Sequence, residues 1–83
     1  MNIDIKDTIN LSDNNEYVVV SKVNYENNIY YYLIDIENTA NVKFCMENKE
    51  NSVLEVVDQA LIQTLLPMFL NEAKDHINID MFN

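Results

Sequence analysis

Residues 29–36, Ile-Tyr-Tyr-Tyr-Leu-Ile-Asp-Ile, constrain this chain more than any other stretch. Seven of the eight are aromatic, β-branched or leucine, the side chains that pack well on a pleated surface. In an extended strand Ile29, Tyr31, Leu33 and Asp35 point one way, and Tyr30, Tyr32, Ile34 and Ile36 the other. Both faces are largely apolar, so the strand belongs at the centre of a sheet with cover on each side. Any fold for this chain must supply two covers for one ribbon.

The flanking segments alternate in the same period. Ile3, Ile5 and Ile9 alternate with Asp4, Lys6 and Thr8, which predicts a first strand with one wet face, interrupted at Asp7. After the turn signal 11–15, residues 16–25 predict a second strand, with Tyr17, Val19, Ser21 and Val23 on one side and Val18, Val20 and Lys22 on the other. Glu26-Asn27-Asn28 has the length of a hairpin connection into the central strand. Beyond a turn at 37–41, Val42, Phe44 and Met46 alternate with Lys43, Cys45 and Glu47 in a fourth strand, and residues 53–57 form a short fifth.

From Asp58 the period changes to that of a helix. Leu61, Ile62, Leu65, Leu66, Phe69, Leu70 and Ala73 make one wide apolar stripe, and Asp58 can cap the first turn with its carboxylate. Pro67 lacks an N–H and crowds the carbonyl four residues back, so the helix is expected to kink or break near Leu66. Residues 77–82 alternate again and are a sixth strand, a docked tail or a partner-binding extension. The expected fold is α+β: an antiparallel meander of four to five strands (about 3–57), one C-terminal helix (about 58–75) kinked near Pro67, and a tail (76–83), all in one domain. The sheet face away from the helix is covered by loops and the tail, or it exposes a tyrosine-rich patch for binding or dimerisation.

Charge narrows the partners. Five lysines, no arginine and fourteen carboxylates leave a net charge of −9 on 83 residues, spread over both halves of the chain. Binding to DNA or RNA calls for a basic footprint, so none is expected. At 48% hydrophobic residues the chain is not intrinsically disordered. Its one cysteine, with no secretory leader and no apolar run long enough to span a bilayer, predicts a soluble cytoplasmic protein. Glycine is absent while asparagine occurs fourteen times, so asparagine is expected at backbone positions of positive φ.

Chemistry is sparse. No glycine is available for a phosphate-cradling loop. Cys45, between Phe44 and Met46 in a strand, is expected to be a buried inert thiol. Glu72 and His76, four apart on the helix, could offer two metal ligands, but beside Lys74 and Asp75 they fit a solvated helix end. No metal, cofactor or catalytic residue is expected, and the chain is not expected to be an enzyme. The remaining candidates are for partner binding. Tyr30 and Tyr32 share one strand face. Asp13, Glu16, Glu26, Asp35, Glu37, Glu47 and Glu50 gather at expected turns. Alternate side chains on a strand stand roughly 6.6 Å apart, near the spacing of successive phosphates, so an acidic sheet can imitate a nucleic-acid backbone.

Residues 11–20, Leu-Ser-Asp-Asn-Asn-Glu-Tyr-Val-Val-Val, followed by 25–33, Tyr-Glu-Asn-Asn-Ile-Tyr-Tyr-Tyr-Leu, resemble a small acidic family of uncharacterised proteins from low-GC Gram-positive bacteria and their mobile elements. That pattern joins a leucine, an Asp-Gly turn and a Tyr-x-Val strand to a Tyr-x-Gly turn and a tyrosine-leucine strand. Here Asn14 and Asn27, or their neighbours, stand where the pattern has glycine. In size and charge the chain is also similar to small acidic anti-CRISPR inhibitors, with no shared motif. The expected function is a non-enzymatic acidic protein-binding module, most concretely a phage or mobile-element inhibitor that mimics DNA and blocks a basic nucleic-acid-binding protein or nuclease. The alternative is a self-associating structural protein, a homodimer through the tyrosine face or the apolar helix stripe.

Overall fold

The computed structural model describes residues 3–48 and 52–76, with side chains described through residue 72. Among the described residues five strands, β1 (Thr8–Asn10), β2 (Glu16–Tyr25), β3 (Asn28–Asp35), β4 (Val42–Asn48) and β5 (Ser52–Glu55), precede one helix, α1 (Gln59–His76). The strands form one antiparallel sheet in chain order, β1-β2-β3-β4-β5, as their short connections dictate. The ribbon at 28–35 is the middle strand. The expected sixth strand at 77–82 lies outside the described residues.

Two covers bury the two faces of β3. On one face Tyr30 joins Leu65 and Phe69 of α1, with Val23, Tyr25, Tyr32, Phe44, Met46 and Leu61 packed around them. The Phe69 ring sits 5.8 Å from Tyr32 and 5.9 Å from Phe44, and Tyr32 stacks on Phe44 at 5.2 Å. On the other face Tyr17, Val19, Tyr31, Leu33 and Cys45 pack with Ile3, and with Ile5, Ile9 and Leu11 around them. The sheet curls, so its two edges approach across this second face, and the segment 3–11 supplies the rest of the cover. Tyr31 is fully buried there, so no tyrosine patch is exposed on the face away from the helix.

Three sequence expectations are corrected. The first strand begins at Thr8 rather than at Ile3. Asp4 and Asp7 bond the local backbone instead: the Asp4 amide donates to Asp7 Oδ2 at 2.8 Å, the Ile5 amide to Asp4 Oδ1 and the Asp7 amide to the Asp4 carbonyl. Such bonds compete with a ladder, and Lys6 takes φ 77° to close the turn. Next, a β-bulge between Val19 and Ser21 shifts the β2–β3 register. Tyr17 and Val19 pair with Asp35 and Leu33, whereas Ser21 and Val23 pair with Tyr32 and Tyr30. The bulge therefore moves Ser21 and Val23 to the helix face and Lys22 to the curled face. Third, of the kink or break expected near Leu66 the break does not occur, since α1 is continuous through Pro67. Leu65 and Phe69, both fully buried, hold the helix to the sheet on either side of the proline. The Ser21 hydroxyl adds a hydrogen bond of 2.9 Å to the Phe69 carbonyl.

The expected cap is present: Asp58 Oδ1 accepts the amides of Ala60 and Leu61 at 3.0 and 3.4 Å. Asparagine replaces glycine at two positive-φ positions, Asn14 (66°) and Asn27 (67°). The β2–β3 hairpin turns on two residues, Glu26 and Asn27, both at positive φ as a type I′ turn requires.

Candidate functional site

Two loops meet at one end of the sheet, and most of the acidic candidates meet with them. The β1–β2 loop carries Asp13 and leads into Glu16; β3 ends at Asp35, and Glu37 follows. Asp35 is the hub. Its Oδ1 accepts the amides of Glu37 and Asn38 at 2.9 and 3.2 Å, and its Oδ2 accepts the side-chain amides of Asn15 and Asn41 at 3.2 and 3.1 Å. Four donors occupy the roughly four lone-pair sites of a carboxylate, so Asp35 has no acceptor capacity left for a ligand. The Glu37 amide, with Asn41 and the Asn38 amide, holds Asp35 below the usual carboxylate range, against the opposing effect of burial.

Tyr17 extends the lattice. Its hydroxyl donates to Asp13 Oδ2 at 2.6 Å and accepts from Asn41 Nδ2 at 3.1 Å. The Asn15 amide donates to Asp13 Oδ1 at 3.0 Å. These bonds lower the Asp13 pKa, the tyrosine hydroxyl contributing most, and the same bond raises that of Tyr17. The Ile36 amide closes the end by donating to the Glu16 carbonyl at 3.1 Å. The result is a hydrogen-bonded platform from which Asp13, Glu16 and Glu37 are exposed.

The other candidates lie elsewhere. Tyr30 is buried beneath α1 and Tyr32 is half-buried beside it, so both serve the core rather than a surface. Asp35 is likewise internal, at 4% exposure. Glu26 sits in the turn at the far end of β2, roughly 30 Å from Glu16 along the strand. Glu47 lies on the curled face, where its Oε1 accepts the Tyr31 hydroxyl at 3.4 Å. Burial first, and Glu47 second, push the Tyr31 hydroxyl up to about 12. Glu50 lies outside the described residues, as does the side chain of His76.

A second feature escapes sequence reasoning. The edges β1 and β5 border a concavity of about 420 Å³ on the curled face. Ile3, Ile9, Leu11, Cys45 and Val53 line its apolar floor, and Asn10, Ser12, Asp13, Lys43, Ser52 and Glu55 its rim. Lys43 Nζ lies 3.5 Å from Glu55 Oε2 across that rim. Burial pushes the Cys45 thiol up to about 11, far from a reactive thiolate. Nothing in one sequence tells which edges a curled sheet brings together. The lattice partners Asn15 and Asn41 had a fainter signal, since asparagine clusters mark loops but not which loops meet.

Among the described residues, no three His, Cys, Asp or Glu side chains are placed to hold a metal ion, and no helix is long and apolar enough to cross a membrane. The class defined by this geometry is an α+β meander with one helix over the sheet and a carboxylate platform at one end. Comparison with protein-family models, with curated proteins and with solved structures finds no match to this chain.

Proposed function

We propose that this protein is a non-enzymatic, acidic protein-binding module whose target is a basic surface on another protein. Its most concrete form is an inhibitor of the DNA-mimic type, occupying the groove of a nucleic-acid-binding protein or nuclease. The observation that carries the proposal is the platform: Asp13 and Glu37 on two loops, and Glu16 at the start of β2, stand exposed where Asp35, Asn15, Asn41 and Tyr17 tie the loops together. Preorganised charge loses little conformational entropy on binding, and a net charge of −9 steers a basic partner toward it.

A displacement assay tests the proposal. Basic DNA-binding domains and nucleases are loaded with a fluorescent duplex, and this protein is added at low and at high salt. Release of duplex that weakens with salt, and weakens again in the triple variant D13N/E16Q/E37Q, is the expected result. Failure to displace duplex from any such domain at low salt removes the proposal. Self-association is a second reading, favoured by Leu54, Val57 and Leu70, which are 48%, 73% and 55% exposed. Light scattering showing a strict monomer at high concentration excludes it.

A further inference from the structure

We propose that residues 3–7 form a strap over Tyr31, clasped by Lys22, which opens as a unit while the rest of the sheet stays folded and so uncovers the buried tyrosine of the central strand. The two covers of β3 are held very differently. On the helix side Leu65 and Phe69 are fully buried, and the Ser21 hydroxyl ties down the Phe69 carbonyl. On the curled side residues 3–7 bury one side chain, Ile3, and half-bury Ile5, while Asp4, Lys6 and Asp7 are exposed. A segment with so few buried apolar groups opens at a lower free energy than the core it covers.

The anchors are few and local. Among the described residues, two backbone hydrogen bonds tie the end of the strap to β2: the Lys6 amide donates to the Val19 carbonyl and the Val19 amide to the Asp7 carbonyl, each at 2.8 Å. Residues 3–5 are tied to the sheet by one side chain, the Lys22 ammonium, which donates to the Ile3 carbonyl at 3.0 Å. That ammonium also lies 6.0 Å from the centre of the Tyr31 ring, and Lys22 pairs with Tyr31 across β2 and β3. Lys22 therefore joins the strap to the tyrosine beneath it. Ile3 packs in one cluster with Tyr31, and the Asp4 carboxylate acts on the Tyr31 hydroxyl in the same direction as burial and Glu47, raising it. The remaining bonds are internal to the strap: the Asp4 amide to Asp7 Oδ2, the Ile5 amide to Asp4 Oδ1 and the Asp7 amide to the Asp4 carbonyl. They persist whether or not the segment is docked, so it moves as one turn hinged at Thr8, where pairing of β1 with Val18 begins.

Hydrogen exchange on the whole ¹⁵N-labelled chain, with nitration of its tyrosines by tetranitromethane, tests the proposal. After correction for intrinsic rates, the Lys6 and Val19 amides should exchange at least about tenfold faster than those of Tyr31 and Leu33 in the central strand. L61A thins the core under α1, and should speed Tyr31 and Leu33 while leaving Lys6 and Val19 unchanged, because an opening that keeps that core intact does not feel its loss. K22M, which removes the clasp's donor, should speed Lys6 and Val19 at least about threefold. In the unaltered chain Tyr31, at 0% exposure, should be nitrated ahead of Tyr30, at 4%. One exchange rate for both pairs, an L61A effect shared by both, Lys6 and Val19 unmoved by K22M, or Tyr30 nitrated first or together with Tyr31 overturns the proposal. The nitration order needs no variant, so it decides even where L61A or K22M does not fold. The platform at 13–16 and 35–41 stands or falls separately, by duplex displacement.

Discussion

Replacing Ser21 with alanine probes the contact on which the helix's placement turns. The bulge between Val19 and Ser21 puts this hydroxyl on the helix face, where it is fully buried and donates to the Phe69 carbonyl at 2.9 Å. Alanine removes the donor and leaves most of the packing in place. The hydrogen bond itself contributes about 0.5–1.5 kcal/mol, and a buried acceptor left without its partner costs about 1–3 kcal/mol. The Phe69 carbonyl lies inside α1 and keeps its helical amide donor, so it is not orphaned and about 0.5–1.5 kcal/mol is the expected loss. In a domain of this size each kcal/mol lowers Tm by roughly 4–8 °C. Urea unfolding followed by circular dichroism measures the difference directly, with S52A at an exposed position as the control. Without the bulge Ser21 would follow Tyr17 and Val19 onto the curled face, and alanine there would be neutral or stabilising. An S21A variant as stable as the wild type, or more so, therefore refutes both the bonding and the register.

Phe69→Ala empties a fully buried ring site between Tyr32 and Phe44 and is expected to cost about 3–5 kcal/mol, read by the same urea titration. Asp13 and Asp35 have folded pKa values below their ordinary 3.8, so their contribution to stability is present above that pH and lost as the pH falls through the lower folded values. D35N should flatten that acid dependence; an unchanged acid-unfolding profile would argue against the lattice. Cys45, its thiol pushed up to about 11 by burial, should resist alkylation at neutral pH until denaturant is added, and prompt labelling of the native protein would contradict that burial. Finally, changing Glu26-Asn27 to Asn-Gly puts at both positive-φ positions the residues that tolerate them best and should raise Tm, since that pair is preferred in a type I′ turn.

The carboxylates illustrate how far residue patterns reach. Each acidic candidate was visible as a turn or strand-end residue, and Asp13, Glu16, Asp35 and Glu37 do converge at one end of the sheet. Their division of labour was not visible. Asp35 spends its acceptors on Asn15, Asn41 and two backbone amides, while Asp13, Glu16 and Glu37 remain at the surface. Tyr30 and Tyr32 show the same limit: strand alternation correctly puts them on one face, but only α1 lying over that face makes it a core.

Local periodicity alone determined the five strands' order, the central ribbon, the capped helix and asparagine's use at positive φ, because each depends on neighbours within a few residues. Tertiary structure decided the rest. One extra residue at the bulge reverses the faces of Ser21, Lys22 and Val23, since the side-chain period in a strand is two. The curl of the sheet, a property of all five strands together, brings the edges around Ile9 and Val53 to the same concavity and removes Tyr31 from solvent.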